Sequence, residues 1–108
     1  MDILSKEQFI RACAIAGKIK WSAHALQELI PESLSVPEIE IALAGSQVIE
    51  NYPHAHRYLP DCLVLFFSNT SEPIHAVIAL DEPNEYILVV TVYRPNEQEW
   101  KNDWQTRK

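Results

Sequence analysis

His24 stands in the segment SAHALQELIPES, residues 22–33, with Glu28 and Glu32 following at intervals of four. An imidazole in the first turn of a helix is biased toward its neutral form by the helix dipole, which suits a general base. The alternative role is a partly buried histidine that orders the helix start. His75, inside the apolar run PIHAVIAL, shares a pleat side with Val77 and is expected to face His24 across the covering helix as a second acid or base; otherwise it is a satisfied core histidine. Tyr93 and Arg94 are adjacent at the end of YILVVTVYR, so they point to opposite faces and only one joins any given pocket. Tyr93 shares parity with Val89 and Thr91, which makes packing its default, whereas Arg94 is the natural phosphate ligand. Arg57 and Tyr58, in YPHAHRYLPD, are placed to hold a phosphate or stack on a base. The chemistry such a set fits is acid–base catalysis, with one group to take a proton, another to give one and cations to hold an anionic group.

Other chemistries lack their residues. His54 and His56 sit two apart, with Asp61 and Cys62 nearby, but no second pair stands at ligand spacing, so no metal is assigned. A glycine-rich phosphate loop, a nucleophile elbow and a paired-cysteine site are all missing, and no cofactor is expected. Cys13 and Cys62 fall in apolar runs, where buried free thiols are the expected state and a disulfide the minor alternative. The formal charge of −6 weighs against a broad RNA surface, although Lys18 with Lys20, and Lys101, Arg107 and Lys108, can still form local patches.

These residues must be positioned by one domain, residues 1–108. The chain is 47% hydrophobic and 22% charged, contains 2 Gly, and shows no repeat or linker. Its apolar runs fall well short of the roughly 18 residues of a membrane span, and with no signal-like segment the expected location is the cytoplasm. Ser5 and Gln8 form a capping-box pattern that predicts a first helix from Lys6 to Ala16, stopped by Gly17. Ser22 is expected to cap a second helix with Ala25, Leu26, Leu29 and Ile30 on one stripe, ended by Pro31. Ser35 and Glu38 predict a third, with Ile39, Ala42 and Leu43 buried and Gly45 at its close.

Beyond Gly45 the runs QVIENY, CLVLFFS, PIHAVIAL and YILVVTVY read as strands with short turns, hence an antiparallel meander of three to four strands. Asn96 with Glu99 predicts a C-terminal helix carrying Trp100 and Trp104 on one face. The fold class is α+β, with N-terminal helices packed on the meander. Both faces of the last three strands are apolar, so something besides the helices must cover the second.

The ordered set Ser22, His24, Ala25, Tyr52, Pro53, Cys62, Leu63, Pro73, His75, Thr91, Tyr93, Pro95, Trp100 and Arg107 resembles the bacterial domain-of-unknown-function family 4258, from Trp21 to Lys108. That family is similar in fold to RelE-like ribonuclease toxins, so the resemblance implies an RNA-cleaving ancestry and an antitoxin-like partner. A fold does not carry an activity. The chain also departs from the family pattern, which places arginine four and eight residues after the helical histidine where Glu28 and Glu32 stand. Carboxylates at those places oppose phosphate binding. Two functions follow. One is a non-catalytic interaction module that binds a partner, or a second copy, through the apolar sheet face. The other is a metal-independent endoribonuclease using His24 and His75.

Overall fold

A computed structural model describes residues 2–52 and 59–108. Three helices come early: α1 (Ile3–Ile15), α2 (Ala23–Glu32) and α3 (Val36–Leu43). Five strands form one sheet: β1 (Ile19–Trp21), β2 (Gln47–Tyr52), β3 (Asp61–Phe67), β4 (Pro73–Asp81) and β5 (Tyr86–Tyr93), in the order β1-β5-β4-β3-β2.

Local chemistry sets most helix ends. Ser22 and Ser35 cap α2 and α3 as expected, their hydroxyls accepting from the Ala25 and Glu38 amides. Gly17 takes φ 72° just past α1. The start of α1 differs from expectation because Asp2, not Ser5, is the cap: its carboxylate accepts from the Ser5 amide at 2.7 Å, which brings the first turn forward to Ile3. Pro31 lies in the last turn of α2, which stops at Ser33 in the left-handed region (φ 55°). Only Ala25 and Leu29 of the expected α2 stripe are buried; Leu26 and Ile30 face solvent.

Strands β2 to β5 make the antiparallel meander, with tight turns at Ser71 (φ 62°) and Glu85 (φ 58°). The sheet as a whole is mixed, because β1 pairs in parallel with β5, Ile19 opposite Ile87 and Trp21 opposite Val89. The long connection through α2, α3 and the meander meets the requirement of a parallel pair for a crossover. The helices cover one face. Ile10, Ile39, Leu43, Val64, Phe66, Ile74, Ile78 and Ile87 are among the residues that close the core there.

The second face is covered around His75 by the chain's own C-terminal segment, which is not a helix. Trp100 and Arg107 form an isolated antiparallel bridge, the Lys101 amide donates to the Thr106 carbonyl at 2.8 Å, and Asp103 accepts from the Gln105 and Thr106 amides. The local Asn96–Glu99 signal does hold one turn, with the Asn96 side chain accepting from the Glu99 amide. The chain then bends because Trp100 finds burial against the sheet, where it is 1% exposed, while Trp104 takes φ 61° and points its carbonyl inward. The two tryptophans therefore do not stack on a helix face. Cys13 and Cys62 are buried free thiols. Among the described residues no helix is long and apolar enough to cross a membrane.

Candidate functional site

The sequence-selected residues divide between two places. On the helix side, α2 lies along β5 beyond the point where β1 stops. There β5 would present an unpaired edge, and side chains of α2 complete it. The Ser22 amide and hydroxyl donate to the Val89 and Val90 carbonyls. Glu28 accepts from the Val92 amide at 2.8 Å and from the Thr91 hydroxyl at 2.7 and 2.8 Å. A carboxylate thus does the work of a neighbouring strand. His24, one turn earlier and exposed, sets its Nε2 3.4 Å from Glu28.

Arg94 ends the same edge. Its Nε donates to the Glu32 carboxylate at 2.8 Å, Nη2 to the Glu32 carbonyl at 2.9 Å and Nη1 to the Glu72 carboxylate at 2.8 Å. It forms one wall of a polar cleft of about 350 Å³ with Ser33, Glu38, Ser68, Thr70 and Glu72. The guanidinium fork is occupied by two carboxylates, leaving little positive field for a phosphate.

His75 is on the other side of the sheet, 0% exposed. Its ring contacts are Tyr93, opposite it in the β4–β5 register, and Trp100 from the C-terminal segment, with centroids 5.4 and 4.5 Å away. Nε2 lies 2.7 Å from the Trp104 carbonyl, which can only accept, so Nε2 carries the proton. Burial lowers the His75 pKa, partly countered by the Trp104 carbonyl and Glu50. In the neutral ring Nδ1 is the acceptor, and the Tyr93 hydroxyl donates to it across 3.3 Å. Burial also raises the Tyr93 pKa, so its proton stays in place.

Behind this pair Arg107 donates from Nε and Nη2 to Glu50 at 2.7 and 3.1 Å, the Tyr52 hydroxyl donates to Glu50 at 2.7 Å, and the guanidinium lies 4.6 Å from the Trp100 ring centre. The Arg107 hydrogen bonds hold the Glu50 carboxyl below its ordinary range. Burial, then the Glu50 carboxylate, pushes the Tyr52 hydroxyl well up.

His75 and Tyr93 are thus brought together, and His24 is not with them. The β5 bulge explains why strand parity misled: Val77 faces Thr91 while Ile78 faces Val89, so Val90 is the extra residue. Val89 consequently packs in the helix-side core, whereas Tyr93 lies opposite His75. Arg57, with His54, His56 and Tyr58, lies outside the described residues. Among the described residues no group of three metal-ligating side chains occurs. Sequence reasoning missed Glu72 as a partner of Arg94, and Glu50, Tyr52, Trp100 and Arg107 as partners around His75. The spacing of Glu50 and Tyr52, two apart in a strand, was the available signal for that cluster.

The fold is that of a small α+β domain with a five-stranded mixed sheet. The chain belongs to the family described as Domain of unknown function (DUF4258), whose model matches residues 21–94. That span begins at Trp21, the last residue of β1, and holds α2, α3 and the whole meander, while α1 and the C-terminal segment with Trp100 and Arg107 lie outside it. Neither the comparison with curated proteins nor that with solved structures yields a match.

Proposed function

We propose that this chain is a non-catalytic protein-interaction module. The observation that carries the reading is the pairing of Arg94 with Glu32 and Glu72 beside a Glu28 that is committed to the β5 edge. A phosphate approaching His24 meets carboxylates, and the nearest guanidinium on that edge is neutralised. Electrostatic stabilisation of the phosphorane, usually the largest single contribution such a site makes, finds Arg94 already engaged by Glu32 and Glu72. The acidic charge of −6 acts in the same direction at longer range.

The competing reading is a metal-independent endoribonuclease of a toxin–antitoxin system, with His24 and His75 as acid and base, Tyr93 assisting, and Arg94 or Arg57 on phosphate. What favours it is the exposure of His24 at a helix start and the Tyr93–His75 hydrogen bond. It requires His75 to leave the cover of Trp100 and Arg94 to leave two carboxylates. Labelled mixed-sequence RNA incubated with the protein and with His24→Ala, with and without EDTA, separates the two. The expected result is no cleavage by either protein at high concentration. Cleavage by the parent that is lost in His24→Ala overturns the module reading.

A further inference from the structure

We infer that the surface running from the end of α1 across α3 to the end of β3 docks a partner protein that presents an apolar segment flanked by Lys or Arg. The inference rests on the interaction-module reading above and adds to it a location and a partner chemistry.

The helices cover one face of the sheet and the C-terminal segment covers the other around His75, and several of the large apolar side chains left exposed stand on the helices. Ile15 is 76% exposed and Ile41 77%, and what sets them apart from a singly exposed side chain such as Ile30 is that they line one cleft together. Between them Ala14, Pro37 and Ala44 floor an open cleft of about 410 Å³ with Glu40 on its rim. Ile41 also borders a second cleft of about 200 Å³, where Ala42, half-exposed Phe67 and Glu38 continue the surface. The two clefts meet at Ile41 and make one apolar track.

Charge selects the occupant. The described residues lining the track include Glu38 and Glu40 and neither Lys nor Arg. Both carboxylates are held in place, Glu40 by the Trp21 indole N–H at 2.9 Å and Glu38 by the Asn69 amide at 3.4 Å. A second copy would set Glu against Glu across the seam and add −6 to −6. A partner with Lys or Arg beside its apolar side chains answers the same surface without that opposition.

The test uses two synthetic amphipathic peptides of about 14 residues with leucine at helical period, one with lysine and one with glutamate on the polar face. Each is titrated into isotope-labelled protein, with affinity and backbone amide shifts as readouts. The lysine peptide is expected to bind at least about tenfold tighter, a difference of about 1.4 kcal/mol, with shifts centred on Ile15, Ile41, Ala44 and Phe67. Ile15→Ser and Ile41→Ser lose that binding, Glu40→Gln weakens it, and the exposed-site control Ile30→Ser on α2 retains it. Equal affinity for both peptides, shifts centred on α2 or the C-terminal segment, or retention in Ile41→Ser overturns the inference. So does a concentration-dependent dimer in sedimentation that Ile41→Ser dissolves, which assigns the track to a second copy. Failure of the lysine peptide to bind overturns this surface alone, whereas His24-dependent RNA cleavage overturns the reading beneath it.

Discussion

Acidification acts on the stability of this protein through His75. An unfolded histidine takes up its proton near pH 6.5, and burial holds the folded-state value below that. Between the two values the unfolded chain binds more protons, so the contribution of neutral His75 is complete above about pH 6.5 and is lost as pH falls toward the folded value. The melting temperature is expected to decline in that window, and His75→Phe should remove this part of the pH profile even while lowering stability overall. Glu50 acts in a separate, more acid window: its lowered pKa adds stability above its ordinary value near 4.5 that is lost on further acidification. Reactivity is predicted at this scale as well. The Cys62 thiol is fully buried and pushed up to about 12, and burial also raises that of Cys13. Labelling by a disulfide reagent at neutral pH should therefore proceed at the rate of unfolding and accelerate only with denaturant.

Among the elements, the two that depend most on single side chains are β5 and the C-terminal segment. Glu28→Ala strips the Val92 amide and Thr91 hydroxyl of their acceptor, and a group left unsatisfied in a partly buried place costs about 1–3 kcal/mol. Urea denaturation should show that loss, with Glu28→Gln recovering part of it because an amide oxygen can still accept. Trp100→Ala removes the buried ring between His75 and Arg107, and truncations of this kind cost about 3–5 kcal/mol. The same elements mark how far the sequence could be read. Helix starts at Ser22 and Ser35, the stop at Gly17 and the meander turns were legible because each is decided within four residues. β1 was not, since three residues carry no periodicity and Ile19 to Trp21 become a strand only beside a β5 far along the chain. The C-terminal segment was misread for the opposite reason: a genuine local cap at Asn96 was outweighed by the burial of Trp100. At the candidate site, the identities of His75 and Tyr93 could be singled out, but their pairing depended on a bulge at Val90 that alternation does not reveal.

The whole molecule is acidic, and its cations are largely engaged. Arg11 pairs with Glu7, Lys18 with Glu85, Arg94 with Glu32 and Glu72, and Arg107 with Glu50. Lys20 lies over the Tyr86 ring, and Lys6 is buried with its ammonium on Asn51 and the Asp61 carbonyl. RNA binding that depends on clustered Lys and Arg therefore has little to work with. Filter retention of labelled RNA is expected to stay at background even at low salt, where phosphate contacts are strongest.

The parallel pairing of β1 with β5 has a consequence for the order in which the protein is made. Ile19 to Trp21 are translated before α2, α3 and strands β2 to β4, and their partners Ile87 to Val89 only after them. The meander can zip hairpin by hairpin as it appears, but the N-terminal strand must wait with its apolar neighbours unsheltered until β5 arrives. During that interval a nascent chain stalled before β5 would expose Trp21 and the inner face of α2, the sort of surface a ribosome-associated chaperone retains. Closure of the sheet and docking of α2 are therefore coupled to the emergence of β5 rather than to that of β1 or α2.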